Sequence, residues 1–109
     1  MDMVKQFSIH YVNLDPAEGM EMKKTRPAVV LSPNNMNDVL GTVIIAPMTT
    51  TLRGYPSRME LRFQNKFCEI CLDQMRAVDS GRLSKDNIGR LNNDQIEDLK
   101  DTLAQLFTL

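Results

Sequence analysis

Three stretches of this chain end on residue types suited to phosphoryl transfer. Glu21 and Arg26 lie in a charged, glycine-containing segment that runs into the apolar stretch Pro27-Ala28-Val29-Val30-Leu31. Thr49 and Thr50 follow the stretch 42–48, and Asp73 and Gln74 follow the stretch 67–72. A guanidinium neutralises charge gathering on a phosphorane, a hydroxyl orients phosphate oxygens, and a carboxylate accepts a proton. Pro27 biases Arg26 towards an extended backbone. The arginine is therefore expected at the lip of a buried strand, where its rigid fork of donors matches a phosphate. By type alone the set is unspecific, because an arginine ahead of a strand is most often simply solvated.

Other chemistries lack their parts. The single histidine, His10, sits in mid-strand, so neither a Ser-His-Asp triad nor a two-histidine cleavage within one chain can be assembled. No P-loop or dinucleotide fingerprint is present. Asp15, Glu18 and Glu21 do not have the spacing of a cation-binding loop. Cys68 and Cys71 are spaced C-x-x-C, but no second ligand pair accompanies them and their segment reads as strand. They are read as reduced thiols on opposite faces, at least one of them in the core. No metal and no cofactor is expected.

The elements that must position these residues fit one domain, 1–109. A composition of 42% hydrophobic and 25% charged residues allows a modest core without disulfides. A net charge of -1 means that any nucleic-acid site is a local patch on a near-neutral body. No apolar run reaches membrane-spanning length and no signal peptide opens the chain, so a cytoplasmic protein is expected.

Residues 1–6 read as a frayed start. Strands are expected over 7–14, 27–31, 42–48, 58–63 and 67–72, with a resumption at 76–78. Pro47 implies an edge or a bulge. A short helical turn begins near Ser32-Pro33 and is broken at Asn37, Asp38 and Gly41. Gln64-Asn65-Lys66 forms a turn, Asp73-Gln74-Met75 a kink, and 79–91 an irregular stretch with Gly81 and Gly89 as breakers. The last segment is a helix. Asp94 and Glu97 form its capping box, and Ile96, Leu99, Leu103 and Leu106 its buried face. Short strands and a terminal helix suggest a small curled antiparallel sheet, SH3-like in size.

Three blocks in this order resemble a known family. Asn13-Leu14-Asp15-Pro16, Gly19-x-Glu21 and Thr25-Arg26-Pro27-Ala28-Val29-Val30-Leu31-Ser32 look like the opening of the MazF/PemK toxins. Ala46-Pro47-Met48-Thr49-Thr50 with Gly54-Tyr55-Pro56 looks like their second signature, and Leu72-Asp73-Gln74-Met75-Arg76 like the third. The resemblance implies a CcdB/PemK-like fold, mainly β with a C-terminal helix, assembled as a homodimer. It implies the toxin of a type II toxin–antitoxin pair, a sequence-specific, metal-independent endoribonuclease acting on single-stranded mRNA. In this family the ribose 2′-hydroxyl attacks the adjacent phosphate, leaving a 2′,3′-cyclic phosphate and a 5′-hydroxyl. A cognate antitoxin blocks the RNA site through a disordered tail, and any DNA binding belongs to the antitoxin complex.

Carried over by position, Arg26 matches a phosphate-binding loop arginine and Thr49 a phosphate-contacting threonine. Glu21 matches an acidic residue implicated in activity, and Asp73 a strand-end aspartate proposed as a base. Lys23, Lys24, Thr25, Thr50, Arg53, Tyr55, Arg58 and Gln74 are the expected RNA contacts, with Tyr55 or Phe7 offering a stacking face. Cys71 stands where some members carry an arginine proposed as the acid, and Met20 where some carry a histidine. Gln6-Phe7-Ser8 replaces the usual Arg-Gly-Asp-like start. The missing strand arginine shifts the electrostatic role onto Arg26. Two other readings share the fold: a gyrase poison like CcdB, and an inactive RNA-binding module.

Overall fold

Strand β3 (Thr42–Thr49) carries the sheet because both of its sides are paired and nearly all its side chains are apolar. One side holds β2 (Thr25–Val30), with Ala28 opposite Pro47 and Val30 opposite Ile45. The other side changes partner along its length. β6 (Arg76–Asp79) pairs with Thr42 to Ile45, and β5 (Lys66–Cys71) with Met48 and Thr49. That division curls the sheet. β1 (Ser8–Asn13) and β7 (Gly89–Arg90) continue it beyond β2, and β4 (Arg58–Phe63) beyond β5, giving the order β4-β5-β3-β2-β1-β7 with β6 beside β3. All the pairings are antiparallel. The computed structural model describes residues 4–108.

β2 and β3 read as continuous apolar runs because the sheet has core on both faces. Val29, Ala46 and Met48 join Ile9, Leu61 and Ile70 in one cluster. Ala28, Val30, Val43 and Ile45 join Val12 and Leu14 in the other. β4 is half-buried as its alternation requires, with Met59 and Leu61 inside and Glu60 outside. Gln64 and Asn65 link it to β5 with φ of 50° and 62°, the two left-handed residues of a tight hairpin turn.

The structure corrects several expectations. Pro47 lies in a central strand rather than at an edge. It sits between the β6 and β5 registers, where β3 has no ladder partner on that side and a missing N–H is tolerated. The turn after Ser32 is a full helix, α1 (Asn34–Leu40). Asn37 does not break it, because its side chain turns inward to Ser32 and to the Val4 carbonyl. Gly41 ends it in the left-handed conformation. Residues 1–3 of the expected frayed start lie outside the described residues, but Val4 packs against the second cluster and Gln6 bonds to Asn34 and the Leu31 carbonyl.

The stretch 79–91 contains the end of β6, a single 3-10 turn and β7. Gly89 is there because a Cβ would come within 2.8 Å of the Phe63 ring. The terminal helix, α2 (Asn93–Leu106), is capped by Asn92 with Gln95, not by Asp94 with Glu97. Asn92 Oδ1 accepts from Gln95 N at 2.8 Å, and Gln95 Oε1 accepts from Asn92 N at 2.9 Å. Leu99 is fully buried, and Ile96 and Leu103 pack beside it. Leu106 falls outside that face and is exposed.

Candidate active site

Arg26 reaches the sheet edge because β2 begins just before it, with Arg26 opposite Val12 of β1. Its approach is pinned by backbone bonds. Lys24 N donates to Asp15 Oδ1 at 3.0 Å, and Lys24 adopts φ of 71°. The Arg26 Nε donates to the Lys23 carbonyl at 3.0 Å, which leaves the donors of its two terminal nitrogens uncommitted by that bond. Thr49 stands at the end of β3. Its Oγ1 accepts from Thr51 N at 3.1 Å, so the hydroxyl hydrogen remains available to a phosphate oxygen.

These two side chains share two adjoining clefts. The smaller, about 210 Å³, is lined by Thr25, Arg26, Pro27, Met48, Thr49, Thr50 and Cys68. The larger, about 490 Å³, is lined by Arg26, Thr49, Thr51, Arg53, Tyr55, Arg58, Gln74, Met20 and Met22. Its lining has three arginines and no carboxylate, a basic patch on a chain of net charge -1. Such a cleft attracts a phosphate backbone. Tyr55 is half-exposed on its wall, with the Arg58 guanidinium 4.9 Å from its ring centre.

Glu21 and Asp73 lie in a neighbouring cleft of about 350 Å³, together with Gln74. Gln74 joins it to the larger cleft, and its Oε1 accepts from Met22 N at 3.2 Å. Glu21 is exposed, with Oε1 accepting from Glu18 N at 2.7 Å. Lys23 and Lys24 are exposed on the loop and line none of these three clefts.

Arg58 faces Cys71 across the β4–β5 hairpin. Its Nε donates to Asp73 Oδ1 at 3.1 Å and its Nη2 to Asp73 Oδ2 at 3.3 Å. Partial burial raises the Asp73 carboxyl's pKa, but the Arg58 bonds and charge, with Ser57, bring it below its ordinary value. The same bonds with Asp73 raise the Arg58 guanidinium. Burial pushes the Cys71 thiol up to about 11 against the opposing pull of Arg58, so it is neutral at neutral pH. Both cysteines are buried and free. His10 is buried too, between Ser8 Oγ and the Ser84 carbonyl, away from the clefts. Among the described residues no group of three or more His, Cys, Asp or Glu side chains stands close enough to hold a metal ion.

One further residue bears on these clefts without standing out by type. Glu69, on β5, is 3% exposed and accepts from the backbone of Arg53 and Gly54. A carboxylate inside the run Phe67-Cys68-Glu69-Ile70-Cys71 is the signal that was there to find, since a buried acid requires partners.

Comparison with known proteins agrees with this architecture. A family model described as PemK-like, MazF-like toxin of type II toxin-antitoxin system matches residues 5–107. The endoribonuclease toxin MazF of Escherichia coli (strain K12) is 37% identical over 68 residues, which are 62% of this chain and 61% of that protein. The crystal structure of MazF (Form-I) from Deinococcus radiodurans superposes with a TM-score of 0.86 at 24% identity, covering 100% of both chains. An endoribonuclease in complex with its cognate antitoxin, from a mycobacterial species, has a TM-score of 0.76 at 16% identity over 94% of this chain and 92% of that one. These two structural likenesses bear on the fold alone: a curled antiparallel sheet with a C-terminal helix. Matched along almost its whole length, the chain belongs to the PemK-like, MazF-like toxins of type II toxin–antitoxin systems.

Proposed function

We propose that this chain is a single-domain endoribonuclease toxin that cuts single-stranded mRNA in the cytoplasm. The observation that carries the reading is the meeting of Arg26 and Thr49, from different strands, in a cleft lined by arginines and free of carboxylates. The reaction needs no external nucleophile. A ribose 2′-hydroxyl gives up its proton and attacks the adjacent phosphorus. The bond to the 5′-oxygen breaks, that oxygen takes a proton, and a 2′,3′-cyclic phosphate remains. Arg26 binds the phosphate and stabilises the charge on its oxygens. The Thr49 hydroxyl orients the same group.

The acidic residues divide the remaining work. Asp73 is already engaged on both oxygens by Arg58 and is held ionised, which makes it a poor proton acceptor. Its proposed role is to fix Arg58. Glu21 is exposed beside the cleft and is the better candidate to receive the 2′-hydroxyl proton. Arg53, Arg58, Lys23 and Lys24 follow the backbone, Thr25, Thr50 and Gln74 contact the strand, and Tyr55 offers a face to an unstacked base.

A homodimer would double the basic residues facing RNA, and a cognate antitoxin would act by covering this cleft. No helix among the described residues is long and apolar enough to cross a membrane. The test is direct. Purified protein, incubated with mixed single-stranded RNA in EDTA, is expected to leave cyclic phosphate and 5′-hydroxyl ends. No cutting, or 3′-hydroxyl ends, contradicts the reading.

A further inference from the structure

Glu69 is the buried charge that the proposed chemistry does not use. Its carboxylate accepts from Arg53 N at 3.1 Å on each oxygen and from Gly54 N at 2.8 Å. Arg58 Nη1 lies 3.7 Å from it. Gly54 has φ of 68°, a conformation that turns two successive amides towards one anion.

The segment Thr50–Tyr55 is exposed throughout and has no regular structure beyond a bend at its first residue. Among the described residues its other hydrogen bonds are the Thr51 amide on Thr49 Oγ1 and the Tyr55 carbonyl accepting from Arg58 N, both made to its own flanks. Glu69 therefore ties the middle of this segment to β5. The same segment supplies Thr51, Arg53 and Tyr55 to the larger cleft.

A buried carboxylate is costly unless fully bonded, and replacing it with an apolar side chain would leave two loop amides without their acceptor. We infer that Glu69 is a positioning residue for RNA binding, which holds Thr50–Tyr55 as one wall of the Arg26–Thr49 cleft. The inference rests on the proposed RNA-cleaving function. It adds a residue that touches no substrate and acts through the Arg53 and Gly54 amides.

The experiment uses the full chain and two variants. Glu69→Gln keeps the size but removes the charge and sets an NH2 against a donor amide. Glu69→Asp keeps the charge but falls one methylene short. Two quantities are read: exchange of the Arg53 and Gly54 amides by NMR, and KM and kcat for one single-stranded RNA. In Glu69→Gln the two amides are expected to exchange at least about tenfold faster. KM is expected to rise about tenfold, while kcat per folded molecule stays within roughly threefold.

A merely structural role would lower the folded fraction and leave KM and the local exchange pattern as in the wild type. That result, or wild-type exchange at Arg53 and Gly54, overturns the inference. If Glu69→Gln does not fold, Glu69→Asp is judged by the same criteria. If the wild type cuts no RNA, the functional reading falls. The tie is then decided by amide exchange together with binding of a short single-stranded oligoribonucleotide, and unchanged exchange or affinity in the variant refutes it.

Discussion

Arg58 and Cys71 stand directly opposite each other on β4 and β5. At Cys71 this chain has a neutral thiol with a guanidinium across the hairpin. Asp73 fixes that guanidinium through two hydrogen bonds. Arg58 therefore lines the cleft beside Arg26 and Arg53, with its charge paired to Asp73 and close to Glu69.

Removing Arg58 should be felt by Asp73 first. In Arg58→Met the carboxyl loses its largest stabilising contact and keeps its burial, so its pKa is expected to move up from its wild-type position. Carboxyl NMR titration of the two proteins reads this directly. RNA cleavage in the variant is expected to fall about tenfold, mostly through KM.

The Asp73–Arg58 pair also predicts an acid limb. A carboxyl whose folded pKa lies below its unfolded value adds stability above the unfolded value, and that stability is lost as pH falls through the folded one. Chemical denaturation below pH 5 should therefore show a steeper loss for the wild type than for Asp73→Asn. Equal slopes would mean that the pair adds nothing to folding in this range.

Cys71 gives the opposite limb. Its folded thiol is raised to about 11, so the unfolded chain loses this proton first. Stability is fully present below the ordinary thiol value and declines as pH rises from there through about 11. A Cys71→Val variant should show a flatter alkaline limb. Native Cys71 should also react slowly with iodoacetamide at neutral pH, because the thiolate is scarce.

On α2 the prediction separates neighbours of similar type. Asn92→Ala removes the cap and should cost about 1 kcal/mol, whereas Asp94→Ala should cost little. Leu99→Ala empties a fully buried site and should cost about 2–5 kcal/mol, whereas Leu106→Ala should stay within about 0.5 kcal/mol. Urea denaturation of the four variants checks the order.

Much of this fold could be read from side-chain pattern. Met59, Leu61 and Phe63 alternate with charges, and 27–31 is apolar throughout, so β4 and β2 follow from elementary burial. The helix cap is ambiguous in the sequence because Asn92–Gln95 and Asp94–Glu97 both satisfy the capping-box pattern, and only packing chooses between them. β7 is too short to have a pattern of its own. Arg26, Thr49, Glu21, Asp73 and Gln74 were legible as loop ends, and the clefts bring Arg26 to Thr49 and Glu21 to Asp73. Glu69 was not legible as part of the site, because two of its partners are backbone amides more than ten residues away, which leave no mark on residue type.

The most direct test of the account is the cleavage rate of Arg26→Ala beside the wild type, on one single-stranded RNA in EDTA. Loss of one positioned electrostatic donor typically costs about 2.7–4 kcal/mol of barrier, so the variant is expected to cut on the order of a hundredfold or more slowly while folding normally. A folded Arg26→Ala protein that cuts at the wild-type rate would contradict it.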